Sequence, residues 1–222
     1  MVPAALRFLL RWILRLVVLV VVIVVALRWI NPQITYLQAS EWIRLGEISK
    51  EWADLADLPI VVADSAVAAE DANFCRHTGF DLEAIRSVLE SGESRGASSI
   101  SQQVAKNVFL WPNRSWIRKG FEAGFTLMIE LAWGKARILE VYLNIAEFDE
   151  GVFGVEAASQ RYFGKSGADL SGAEAARLMT VLPNPKGRSA VDLNGVQSRR
   201  IKTITSGAQT VALDDRGECY RP

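Results

Sequence analysis

The 222-residue chain is 50% hydrophobic and 23% charged, too apolar for a disordered segment and long enough for one domain with a sizeable core. Its 25 basic residues match its 25 acidic ones, which excludes the net positive charge of a nucleic-acid binder. The balance is uneven along the chain: residues 1–40 hold four arginines and no acid, leaving 21 bases against 25 acids from Glu41 onward.

From Phe8 to Ile30 the chain is apolar except for Arg11, Arg15 and Arg28. As a helix rising about 1.5 Å per residue, this segment reaches roughly 35 Å, enough to cross a hydrocarbon core of about 30 Å. Eight of the twelve residues 16–27 are β-branched, a strand-forming composition in water. A lone strand in lipid leaves its backbone groups unsatisfied, so a helix is expected. Arg15 and Arg28 can snorkel to opposite interfaces, with Trp12 and Trp29 at the aromatic belts. The run also has the length of a signal-peptide core, but no small-residue cleavage site follows a polar spacer, and a retained anchor is the expectation. Arg7, Arg11 and Arg15 on the short flank put that flank in the cytoplasm and residues 31–222 across the membrane. The expected layout is a flank and anchor over 1–30, a stalk containing Asn-Pro over 31–39, a main domain over 40–190, and a C-terminal extension of unassigned role over 191–222.

Beyond the stalk the periodicity is mostly helical: Ser40–Glu51, Asp64–Asn73, Leu82–Glu90 behind an Asp81 cap, Ile100–Phe109, Ile117–Ala132, Lys135–Ala146, Val155–Tyr162 and Gly172–Val181. Ser99 with Gln102, and Ser171 with Glu174, have the spacing of capping boxes. Strand signals are few, so the domain reads as mainly α. Cys75 and Cys219 have no metal-ligand spacing, and outside the cytoplasm the one pairing they allow is permitted. His77 is the only histidine, which leaves a histidine-rich zinc site and a Ser/His/Asp triad poorly supported; a hydrogen bond within its own turn is expected.

Three stretches carry chemistry. Glu70 and Asp71 close an apolar helix just before a turn, and adjacent helical residues point about 100° apart, so both cannot face the core. One can face a cleft, while an isolated pair of this kind reads as an exposed Glu70 and an Asp71 that binds its own turn. Residues 94–121 contain no acid but five bases, Arg95, Lys106, Arg114, Arg118 and Lys119. Ser98, Ser99, Ser101, Gln102, Gln103 and Asn107 run among them, and Gly96 leads into a helix N-terminus with its free N–H donors. That combination suits a phosphate or pyrophosphate, although it is no Walker loop. It is also what a capped helix with a solvated basic face would contain. Trp111 and Trp116, with Phe109, Leu110 and Ile117, suit a lipid–water boundary; ordinary core and a base-stacking platform are the alternatives, the last disfavoured by export. Glu122 follows Arg118 at i+4 and Lys119 at i+3, the spacing of surface ion pairs and equally of a second carboxylate held ionised beside an anion site.

In order along the chain, EDANFCRHTGFD (70–81), GASSISQQVAKN (96–107), RKGFE (118–122), KARILEVYLNIAEFDEGVFGVEAASQRYFGK (135–165) and LSGAEAARLMTVLPNP (170–185) make the sequence similar to the monofunctional biosynthetic peptidoglycan glycosyltransferases, related to the glycosyltransferase domain of class A penicillin-binding proteins. The resemblance covers roughly residues 60–186. It departs at Asp149, where the family usually has glycine, and it fades beyond Gly187. It implies a lysozyme-like α-helical lobe with a small membrane-facing jaw lobe. It also implies polymerisation of lipid II into β-1,4-linked glycan with release of undecaprenyl diphosphate, by inversion. Glu70 and Glu122 are then the catalytic carboxylates, with Ser98, Gln102, Gln103, Lys106, Asn107, Arg114, Arg118 and Lys119 binding substrate. No cofactor is firmly implied; a divalent cation, Mg or Mn, is compatible, with Glu122 its candidate ligand. The implied partners are lipid II, the growing lipid-linked glycan, the membrane and cell-wall synthesis or division proteins, with no nucleic acid, and the implied location is a bacterial inner membrane. A glycan-cleaving lysozyme-like enzyme and a non-catalytic assembly protein are the competing readings; the first leaves the basic stretch unexplained, and the second should have lost Glu70 or Glu122.

Overall fold

The computed structural model describes residues 3–91, 98–113, 115–214 and 216–221. Among these, ten α-helices and one small sheet bear out the mainly helical expectation and are consistent with a lysozyme-like lobe. Helix α1 (Ala4–Ala26) is the one helix long and apolar enough to cross a membrane. It ends four residues before the expected Ile30, because the domain that follows takes over carbonyls that the helix leaves open. Trp133 Nε1 donates to Val24 O at 2.7 Å, and Arg137 donates to Leu27 O and Ile30 O at 3.0 Å each. Arg28 does not simply snorkel: its guanidinium donates to Ala132 O at 2.9 Å and lies over the Trp29 ring. The anchor is therefore joined to the domain by charge-assisted hydrogen bonds.

The segment expected as a stalk already contains the start of α2 (Tyr36–Leu45), where Thr35 and Gln38 form a capping box. The expected helix to Glu51 is cut short because Gly46 adopts φ +85°, the left-handed stop that glycine provides. The chain then enters β1 (Ser49–Lys50) instead. Helix α3 (Ile60–Glu70) starts earlier than expected, directly after Pro59, and ends at Glu70 rather than Asn73. It stops there because Asp71 leaves the helical region, with φ −160°, and commits its carboxylate elsewhere. Helices α4 (Leu82–Ser91), α5 (Ile100–Phe109), α6 (Trp116–Ala132) and α7 (Lys135–Ile145) follow within a residue or so of expectation. Strands β2 (Glu147–Asp149) and β3 (Val152–Phe153) complete a sheet of order β1–β3–β2. Strand β1 runs parallel to β3, pairing Ser49 with Val152, while β2 runs antiparallel with an irregularity between Glu147 and Asp149. Asp149 itself receives hydrogen bonds from Glu150 N and Arg161. Helices α8 (Val155–Phe163) and α9 (Gly172–Val181) match the periodicity closely, and the Ser171–Glu174 box is formed.

The core centres on α3 and α7. Val62, Ala66 and Val67 of the first, and Ile138, Leu139 and Leu143 of the second, are fully buried, with Ile100, Val104, Leu178 and Met179 of α5 and α9 packed around them. Burying the Val, Ile, Leu and Met side chains among them is worth about 1.5–3 kcal/mol each. Helix α10 (Gly195–Leu213), in the stretch expected only as an extension of unassigned role, lies along α3 and α9. Asn194 and Gln197 form a capping box at its start.

Two cysteines far apart in sequence close this assembly. Cys75 and Cys219 are bonded, with Cα atoms 5.5 Å apart across a sequence separation of 144. Restricting a loop of that size stabilises by up to about 5 kcal/mol in the chain-entropy treatment. The Cys75→Ser/Cys219→Ser double variant should therefore melt clearly lower than the parent in detergent, and an unchanged midpoint would show the bridge to be energetically idle.

Helix α6 packs on α1 and leaves Trp116, Ile117, Phe121 and Leu131 exposed, Trp116 to 92%. Apolar side chains in the open beside a membrane-length helix form a surface suited to lipid. Between the two helices lies an apolar cavity of about 460 Å³ bordered by Val17, Val20, Val21, Phe121, Phe125 and Met128.

Candidate active site

Glu70 is the last residue of α3, so its side chain emerges where the helix stops and the cleft begins. Its two oxygens are held from different helices: Oε2 accepts from Gln103 Nε2 of α5 at 3.2 Å, and Oε1 accepts from Arg200 Nη2 of α10 at 3.3 Å. Burial pushes the Glu70 carboxyl above its ordinary value; the Gln103 hydrogen bond and the Arg200 charge oppose the rise, neighbouring Asp71 adds to it and Arg188 opposes it. A carboxylate raised in this way sits closer to neutral pH, where a general base is most effective.

Asp71 does the work of the turn. Its Oδ2 accepts from Ile100 N at 3.0 Å and its Oδ1 meets His77 Nε2 at 2.9 Å, tying the start of α5 to the end of α3. The His77 bond thus stays within its own segment, as expected. Asp81 caps α4 through Ala84 N at 2.9 Å and receives Asn73 Nδ2 at 3.0 Å. Gly79, at φ +90°, lets this loop pass α6: a Cβ there would lie 2.6 Å from Thr126 Cγ2. Its carbonyl accepts from Ser99 Oγ at 2.5 Å, while Ser99 and Gln102 form the anticipated capping box of α5.

Two adjoining cavities open from this framework. One, of about 430 Å³, is lined by Glu70, Asp71, Asn73, Asp81 and Ser98 among others. The second, of about 450 Å³, is lined by Ser98, Gln102, Gln103, Lys106, Pro112, Arg118, Lys119 and Glu122. Ser98 borders both, and Gln103 lines the second while bonding Glu70, so the carboxylate and the basic cavity belong to one cleft. Asn107, one residue beyond Lys106, lines neither cavity because the helical step turns it about 100° away. Arg114 and Gly96 lie outside the described residues.

Ser115 caps α6 through Arg118 N at 3.1 Å, which puts Arg118, Lys119 and Glu122 on its first turns, facing the cavity. Glu122 is buried, with its side chain 3% exposed. Arg118 Nη1 donates to its Oε2 at 2.8 Å, and Lys119 Nζ donates to its other oxygen. This corrects the surface ion pair that the spacing alone would suggest. With a cation on each oxygen, Glu122 is better suited to holding two bases in place than to receiving a dication. The cluster Asp71, His77 and Asp81 brings three ligand-type atoms within 4.8 Å of one another, but its carboxylates already serve backbone and side-chain donors. Neither group fits a dedicated metal cage.

The transglycosylase family model matches residues 38–209, most of the chain and all of this cleft. The chain belongs to the transglycosylase family. It is similar to a biosynthetic peptidoglycan transglycosylase of Jannaschia sp., 47% identical over 189 residues covering 85% of this chain and 79% of the relative. That of Rhodospirillum centenum is 44% identical over 194 residues, covering 84% and 83%. That of Cronobacter sakazakii is 53% identical over 161 residues, covering 71% and 63%. Family membership makes this transglycosylase an enzyme of sugar transfer, a glycosyltransferase. Two contributors to its cleft escaped the sequence reading: Arg200, and the Gln103 bond to Glu70. The Asn194–Gln197 box was the legible signal for the helix that carries Arg200. The matched region ends at residue 209, within that helix.

The raised Glu70 carboxyl has a consequence for stability. A carboxyl whose folded value is raised is penalised once ionised: the penalty is absent below the ordinary value of 4.5, grows as pH climbs through the interval up to the folded value, and is constant above it. Glu70→Gln is therefore expected to melt at or above the parent's midpoint at pH 8, with the difference gone at pH 4. A lower midpoint at pH 8 would mean that the ionised carboxylate stabilises the fold.

Proposed function

We propose that the chain polymerises lipid II, joining disaccharide units by β-1,4 bonds through inversion at the donor's anomeric carbon. Peptidoglycan glycan synthesis follows from the family; the substrate and stereochemistry are the proposal. The observation that carries it is the single cleft in which a raised carboxylate adjoins a basic cavity. In this reading Glu70 takes the proton of the acceptor's 4-hydroxyl. The oxygen attacks the donor's C1, and the bond from C1 to the pyrophosphate oxygen breaks on the opposite face. Lys106, Arg118 and Lys119 receive the charge that develops on undecaprenyl diphosphate, with Arg114 as a fourth donor. Ser98, Gln102 and Gln103 orient the polar groups, Asn107 belongs to the same helix, and Glu122 keeps Arg118 and Lys119 aimed. An α-linked donor and a β-linked product require one inversion, so no covalent sugar–enzyme intermediate is needed.

The anchor fits a substrate carried by lipid. The arginine-rich flank supports a cytoplasmic N-terminus and an exported catalytic domain in a bacterial inner membrane, where cell-wall synthesis or division proteins are its expected neighbours. Incubating the detergent-solubilised full chain with labelled lipid II separates the readings. Long glycan supports the proposal. Cleavage of preformed glycan alone would favour a lysozyme-like enzyme, and no product with intact binding a non-catalytic assembly protein.

A further inference from the structure

Glu70 is bracketed by contacts to the same distant part of the chain. Six residues before it on α3, buried Asp64 accepts from Tyr220 OH at 2.8 Å and from Arg221 Nη2 at 3.2 Å. Five residues after it, Cys75 is bonded to Cys219. Between these two fastenings α10 runs along α3 so closely that a Cβ on Gly207 would lie 3.0 Å from Ala68 Cβ, and Ile204, Ala208 and Val211 are buried in the contact. The result is that Arg200 meets the C-terminal end of α3 twice, at Ala69 O (3.4 Å) and at Glu70 Oε1 (3.3 Å). Gln103 holds the opposite oxygen.

We propose that this stapled C-terminal segment is a positioning element for the base, with Arg200 the residue through which it acts. The inference rests on the reading of Glu70 as base. A carboxylate gripped at both oxygens from two helices has its plane fixed, so its remaining lone pairs keep one direction towards the acceptor hydroxyl. Arg200 is suited to this because its guanidinium presents its donors in a rigid fork beside the carboxylate, so it orients Glu70 and favours its ionised form together. The other charged or titratable groups acting on Glu70 are Asp71, Arg188 and the buried Tyr142. Arg188 spends a guanidinium donor on Thr180 O at the end of α9, whereas Arg200 is in hydrogen-bonding contact with Glu70 itself.

The test compares pH profiles of kcat/KM on labelled lipid II for the full chain and for Arg200→Gln, Arg200→Lys, Cys219→Ser and Glu70→Gln. The acid limb, on which the base ionises, should move to higher pH in Arg200→Gln. The loss should be on the order of tenfold on the acid side and smaller on the alkaline plateau. Arg200→Lys, which keeps the charge, should recover part of the shift, and it serves alone if the glutamine variant does not fold. Cys219→Ser should move the limb the same way by less. A uniform fall at every pH, or an unmoved profile, overturns the role of Arg200; a shift in Arg200→Gln with none in Cys219→Ser overturns the staple's part in it. Turnover by Glu70→Gln would overturn the base reading instead, and the two failures are thereby told apart.

Discussion

Glu70→Gln is expected to abolish glycan formation while lipid II still binds and the fold persists. The amide keeps the carboxylate's shape, and its oxygen can still accept a hydrogen bond from Gln103 or Arg200, but it cannot take a proton at neutral pH. Losing a general base typically costs about 10²–10⁴ in rate, and the neighbouring carboxylates are engaged elsewhere, Glu122 by Arg118 and Lys119. Asp71 is next in sequence yet points into the turn, where Ile100 N and His77 occupy both its oxygens. The expectation is therefore a loss of at least about a thousandfold, measured as polymer from labelled lipid II, with a binding isotherm close to the parent's. Asp71→Asn should act differently, lowering the melting midpoint because it disturbs the junction between α3 and α5. Near-parental polymerisation by Glu70→Gln would remove the base assignment and the displacement built on it.

How far this site could be read without coordinates depends on the range of the interactions involved. Helix α5 was legible to the residue because its start is set by a local device, the Ser99–Gln102 box, and its face by a repeating apolar pattern. The three basic residues expected at the cavity and within the described segments, Lys106, Arg118 and Lys119, reach it because α5 and α6 pack with their polar faces inward. The short strands were not legible, since two residues carry no alternation to detect, and β1 exists only because Gly46 ends α2 beside β3. Nor could spacing decide whether Glu122 was exposed; its burial follows from the packing of α6 against α5. The contact between Glu70 and Arg200 spans 130 residues, and that between Asp64 and Arg221 spans 157. Such pairs leave no local trace. What could be read there was the helix cap at Asn194, which announces an element without saying what it will touch.

The second large effect concerns the buried ion pair, and it has to be measured so that activity and stability are kept separate. Removing a donor that stabilises developing charge is worth about 3–4 kcal/mol, roughly a hundred- to a thousandfold in rate, and Lys106→Gln should show a loss of that order without a large change in melting. Arg118→Gln is expected to lose as much activity and also to destabilise. It leaves Glu122, 3% exposed, with Lys119 as its remaining ion-pair partner, so the cost should fall below the about 3–5 kcal/mol of a buried charge left with no partner. The double variant Arg118→Gln/Glu122→Gln removes the buried charge that has lost its guanidinium and should recover most of the melting midpoint. Its turnover should stay low, because the pyrophosphate would still lack its guanidinium. Glu122→Gln alone should fall between: both bases remain, but without the carboxylate that orders them, so the loss should appear mainly in kcat. Recovery of turnover along with stability in the double variant would mean that Arg118 matters only as the partner of Glu122, and the leaving group's charge would then have to be met by Lys106 and Lys119.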